Sequence, residues 1–149
     1  MSRNDIFLDS GALFAGVASA TGAARALLLV AEADQITVTV SAQVVTETER
    51  ALARKLPDAL GYYREALRSS GLRIVHDPSP DEIGAQEDIV AHPPDVPIVV
   101  AAMKAKVGFL ETFNRRHFLD DAKVTVKAGI PIGTPGDALA WARERLAQG

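Results

Sequence analysis

Five short apolar stretches, each separated from the next by a segment of helical character, constrain this chain more than any other feature. The clearest is ITVTV at residues 36–40, which is β-branched at every position and suits a strand buried on both faces. Residues 6–8 (IFL), 72–75 (LRIV), 109–112 (FLET) and 129–132 (GIPI) have strand length and supply the others. Helical patterning covers residues 12–18, 23–33, 42 to about 56 after a capping Ser41, and 58–69 ahead of Gly71. It continues weakly from Pro80 to Val90, resumes at Asp95 until Gly108 stops it, and returns at Pro135 for a last helix. Strands alternating with helices long enough to cross over predict an α/β fold: a central, mostly parallel sheet with helices on both faces. No repeat, low-complexity tract or linker is visible, so a single domain over residues 1–149 is expected.

The absence of cysteine excludes disulfides, iron–sulfur ligation and thiolate zinc sites, and leaves oxygen atoms or three scattered histidines as possible metal ligands. Asp5 and Asp9 interrupt the apolar core that a signal peptide needs, and the longest uncharged stretch, residues 10–24, is too short and too polar to span a bilayer. A soluble, cytoplasmic protein without a membrane partner is expected. The net charge of −3 excludes general attraction to nucleic acid, so any such contact must use a local basic patch.

In a parallel α/β sheet, ligands bind outside the carboxyl ends of the strands. Asp9 directly follows the first strand, Glu47 lies about two turns into the helix after the second, Asp95 opens the helix leading to the fourth, and Thr112 and Asn114 end the fourth. Each has an ordinary explanation on its own. Asp95, with Pro97 behind it, resembles a helix cap; Glu47 suits the positive end of a helix dipole; Asn114 is a common turn residue; Arg115, Arg116 and His117 read as a solvated loop. Asp9, closing an apolar strand, is the hardest to dismiss. Converging carboxylates need compensation, because two unit charges about 4 Å apart repel by roughly 4 kcal/mol at an effective dielectric near 20. With oxygen ligands only, the natural compensation is Mg²⁺ or Mn²⁺, and the chemistry that follows is hydrolysis of a phosphate ester.

The order FLDSGALFAG, SAQVVTETERAL, DVPIVVAAMKAKVGFLETFNRRHF and AGIPIGTPGDAL resembles the PIN domain, and within it the bacterial VapC-type toxins, over nearly the whole chain. The resemblance implies a three-layer α/β/α sandwich and an endoribonuclease dependent on Mg²⁺ or Mn²⁺, leaving a 5′-phosphate and a 3′-hydroxyl. It makes Asp9 and Asp95 direct metal ligands, and Glu47 a ligand or the holder of a metal-bound water. Thr112 and Asn114 complete the site, and Arg115, Arg116 and His117 hold the RNA backbone. It also implies a homodimer restrained by a small antitoxin whose C-terminal segment wraps the toxin.

Asn114 departs from the family's four-acid pattern, since many members carry aspartate there; the change removes a negative charge and weakens the case for a second metal. The competing reading is a catalytically weak or inactive PIN fold, serving as an RNA-binding or protein-interaction module. Phosphotransfer readings fit poorly: Gly11 stands where a dehalogenase-type phosphatase needs a second aspartate, and only Asp9 occupies the place of a receiver domain's acidic pair. Phosphate-cradling and serine-hydrolase motifs are missing.

Overall fold

The computed structural model of the chain describes residues 4–114 and 118–148. The first strand, β1 (Asp5–Leu8), leads directly into α1 (Ser10–Ala18) and α2 (Ala23–Glu32); β2 (Thr37–Ser41) leads into α3 (Ala42–Lys55) and α4 (Leu60–Ser69). Then come β3 (Arg73–Val75), α5 (Pro80–Ala85), α6 (Val96–Ala105), β4 (Phe109–Glu111), α7 (Ala122–Ala128), β5 (Ile132–Gly133) and α8 (Pro135–Gln148). All strand pairs are parallel, in the order β3-β2-β1-β4-β5. The chain is thus a three-layer α/β/α sandwich. On one face α1, α2 and α8 pack together, with α3 and α4 against α1; α5, α6 and α7 form the other layer.

Both faces of the sheet are covered, so burial in β1 does not alternate, and Ile6, Phe7 and Leu8 are all fully buried. The core extends from these residues through Val38, Val40 and Leu110 to Leu13 and Leu27 on one face and Val99 and Ala102 on the other. At β5 the α8 layer approaches closely: a Cβ on Gly133 would lie 2.8 Å from the Cβ of Asp137 and 3.0 Å from the Phe109 ring. Glycine is required there for space rather than for backbone freedom.

Three boundaries differ from the sequence reading. The weak helix expected through Val90 ends at Ala85, where its capping box at Ser79 and Glu82 starts a helix that Gly84 does little to prolong. The last strand is Ile132–Gly133 rather than 129–132, because Gly129, in the left-handed region at φ 68°, caps a helix that sequence patterning leaves unassigned, α7. Before α4, Pro57–Ala59 form a separate 3₁₀ turn. Among the described residues no single helix is long and apolar enough to cross a membrane.

At the amino end of the sheet, a buried polar network joins three strands. The Thr39 hydroxyl donates to Asp5 Oδ1 at 2.6 Å, Arg73 donates to Asp5 Oδ2 at 2.7 Å and to Thr39 Oγ1 at 3.0 Å, and the same guanidinium reaches the Ala105 carbonyl at 3.0 Å. Burial raises the Asp5 carboxyl above its ordinary value, while the Thr39 bond and the Arg73 charge pull it back. Removing the cation strands a buried acid, although the half-exposed guanidinium moderates the effect. Arg73→Met is expected to cost about 2 kcal/mol in urea unfolding at neutral pH, and adding Asp5→Asn should recover part of the loss. A cost below about 0.5 kcal/mol, the range of ordinary surface changes, would show that the network carries no stability.

Candidate active site

The strand order reverses at β1: β2 and β3 lie to one side, β4 and β5 to the other. The crevice above the carboxyl ends of β1 and β4 is therefore the topological switch point, where a parallel sheet leaves room for a ligand. Asp9 stands at the end of β1 and opens α1. Its Oδ1 accepts from the Ala12 N–H at 2.8 Å, an N-cap, and its Oδ2 accepts from the Thr112 hydroxyl just beyond β4. Its own N–H donates to the Glu111 carbonyl at 3.2 Å, so main chain and side chain both join β1 to β4 at this point.

Thr112 is fully buried and held by its N–H to the Gly133 carbonyl at 2.9 Å. While donating to Asp9, its hydroxyl accepts the Asn114 N–H at 2.8 Å. The Asn114 amide in turn donates to Asp95 Oδ2 at 3.4 Å, and His92 Nδ1 lies 3.0 Å from the same oxygen. Asp95 closes a 3₁₀ turn, Pro93–Asp95, in αR backbone ahead of α6, and its side chain makes no capping bond. The cap reading of Asp95 is thereby corrected: two consecutive prolines set a turn that directs the carboxylate toward Asn114 instead of the helix N–H groups.

Glu47, in the second turn of α3, is exposed and accepts from Gln43 Nε2 at 3.2 Å, while Val44, Thr48 and Leu52 face the core. Asp9, Glu47, Asp95 and Asn114 line one cleft of about 380 Å³, together with Gln43 and Phe113 among others. Five predicted positions are thus brought to one rim: four line the cleft, and Thr112 supports them from beneath. Arg115, Arg116 and His117 lie outside the described residues. Asp121 takes no part, since its carboxylate caps α7 through the Lys123 N–H at 3.0 Å.

Burial, more than any other influence, raises the Asp9 carboxyl above its ordinary value; its two hydrogen bonds lower it, and the charges of Asp95 and Glu47 raise it again. The acids therefore act on one another. Among the described residues no three His, Asp or Glu side chains close into a ready-made metal cluster. The carboxylate oxygens of Asp9, Glu47 and Asp95 would suit a hard divalent cation that keeps much of its water, and such an ion would offset their mutual repulsion.

One residue escaped the sequence reading. Glu111, inside β4, is fully buried, and neither carboxylate oxygen has a hydrogen-bond partner among the described residues. It pairs in register with Leu8 and Gly133, and by strand alternation it shares a face with Phe109, whose ring packs on Trp141 of α8 at 5.5 Å between centroids. Burial first, and the Asp9 charge second, raise its carboxyl well above the ordinary glutamate value. An acid within a strand covered on both faces was the available signal.

The chain matches no family model and no curated protein. It is similar in structure to PAE2754 from Pyrobaculum aerophilum, known from a crystal structure, with a TM-score of 0.64 and 18% identity over 97% of this chain and 90% of that one. That likeness is one of fold.

Glu111 keeps its proton in the folded state over a pH range in which the unfolded chain has released it. Folding then takes up a proton, and stability falls as pH rises from about 4.5, the ordinary glutamate value, toward the raised one. In chelator, the wild type should lose stability over that range with a slope of up to about 1.4 kcal/mol per pH unit from this group. Glu111→Gln should flatten the slope; urea melts at a series of pH values with unchanged slopes in both proteins would contradict the assignment.

Proposed function

We propose that this chain is an endoribonuclease of the PIN type, dependent on Mg²⁺ or Mn²⁺ and hydrolysing RNA phosphodiester bonds. The observation that carries the reading is the gathering of Asp9, Glu47, Asp95 and Asn114, from four separate places in the sequence, on one cleft at the switch point of a parallel sheet. Asp95 adds weight, because its carboxylate meets Asn114 when capping its own helix was the ordinary alternative. The sequence resemblance to VapC-type toxins extends the proposal to a cytoplasmic homodimer, restrained by a small antitoxin.

In this reading Asp9 and Asp95 hold the cation, and Glu47 contributes from the outer wall. When bound, the divalent ion supplies water activation at neutral pH and offsets the charge that develops on the phosphoryl group. The protein supplies position. Thr112 fixes one Asp9 oxygen while the α1 amide fixes the other, and Asn114 steadies Asp95, so the acids are placed for the cation without reorganising. Attack in line leaves the 5′-phosphate on one product and the 3′-hydroxyl on the other. Arg115, Arg116 and His117, which follow Asn114 directly, are proposed to hold the RNA backbone. The competing binding-module reading draws its support from Asn114, which gives an amide donor where a fourth acid would strengthen metal binding.

Melting with and without Mn²⁺ separates the two. At a hundred times its dissociation constant the ion should stabilise the wild type by about 2.7 kcal/mol, a rise of roughly 5–10 °C for a chain of this size. Asp95→Asn should lose most of that gain, and its cleavage of single-stranded RNA should fall by about a hundred-fold or more. A wild type unmoved by Mn²⁺ and inactive on RNA would leave the binding module as the better account.

A further inference from the structure

We propose that Phe113 is a stacking platform for the base next to the cleaved phosphate, and that the groove behind it receives that nucleotide from single-stranded RNA. This inference rests on the ribonuclease reading for its substrate, and its test is separable from that reading.

Phe113 is 53% exposed, although Glu111 and Thr112 immediately before it are fully buried. An aromatic ring left in solvent beside such neighbours is not serving the core. Its mounting is firm: the preceding Thr112 bonds to Asp9, and the following Asn114 bonds through its main chain to Thr112 and through its side chain to Asp95. The backbone that carries the ring is therefore held in place relative to both acids.

Phe113 is also the wall common to two cavities. One is the acid cleft; the other is a groove of about 320 Å³ whose lining includes Ala15, Ser19, Thr21, Gly22, Thr134 and Gly136. Among the described residues, no charged side chain lines this second space. The two cavities thus differ in chemistry on either side of one ring. The acid cleft suits a cation and the phosphate it would bind, and the groove, with small residues and hydroxyl-bearing side chains, suits a neutral planar group with polar edges. A nucleobase and its ribose have that character. A base can lie on the ring only when it is unstacked from its neighbours, so the arrangement selects single strands or loops over duplex.

The test uses a short single-stranded RNA carrying 2-aminopurine at one position at a time, with binding measured in Ca²⁺ and cleavage in Mg²⁺. Wild-type protein should quench the fluorophore at one position, and Phe113→Ala should abolish that quenching and bind about 5- to 150-fold more weakly, the range for one lost base–aromatic stack. In cleavage the loss should fall on KM more than on kcat. Phe113→Trp should restore both readouts, and Phe113→Leu, apolar but not aromatic, should restore neither. Binding and quenching by Phe113→Ala equal to wild type would overturn the proposal, as would full rescue by leucine or a wild type that does not bind the RNA. So would an unquenched wild type whose oligomeric state in sedimentation changes on Phe113→Ala, which would make the ring a protein interface. Quenching without cleavage would retain the platform and reject the nuclease reading; cleavage without quenching would do the reverse.

Discussion

The Asp9 carboxylate is held at both oxygens, and the arrangement of the rim follows from that. One oxygen starts α1 by accepting the Ala12 amide; the other takes the Thr112 hydroxyl and so joins the end of β1 to the end of β4. These strands border the switch point, so a single side chain organises the place where the sheet is open to a ligand. From Thr112 the connection runs through Asn114 to Asp95, which brings the residue just before α6 to the same cleft. Glu47 stands apart from this chain of contacts, exposed on α3, and acts on Asp9 through charge alone.

Two buried acids show how differently the fold treats charge at its two ends. At the amino end Asp5 is answered by Thr39 and Arg73, and the network fastens β1, β2 and β3 to the end of α6. At the carboxyl end Glu111 has no such partner among the described residues and sits beneath Asp9, where a second negative charge would be most costly. A protonated Glu111 spares the site that charge. The amino end is thus built for stability, while the carboxyl end accepts a stability cost where the candidate chemistry lies, a division common where sites demand unfavourable electrostatics.

The layered architecture was legible because buried strands are rich in β-branched residues, as at residues 36–40, and their spacing demanded crossovers. Asp9, Glu47, Asp95, Thr112 and Asn114 were legible as rim residues for the same reason. What each side chain does there was not. Capping depends on backbone geometry that two prolines altered ahead of Asp95, and only coordinates reveal it. Helix α7 was missed because Val124, Thr125 and Val126 favour strand, and the cap at Asp121 with the left-handed Gly129 overrides that propensity. Glu111 and Phe113 passed unremarked because one reads as a strand residue and the other as a core aromatic, and burial, which separates those roles from the observed ones, is a tertiary property.

The central proposal is that Asp9 and its neighbours bind a divalent ion at the switch point, and electron paramagnetic resonance of Mn²⁺ tests it most directly. When Mn²⁺ is titrated into wild-type protein, the six-line signal of the free ion should stay well below that in buffer until at least one equivalent is bound, whereas Asp9→Asn, melting as a folded protein, should leave the signal close to that of buffer. A wild type that leaves the free-ion signal intact at protein concentrations well above those of the metal, or an Asp9→Asn variant that binds as the wild type does, would contradict the account.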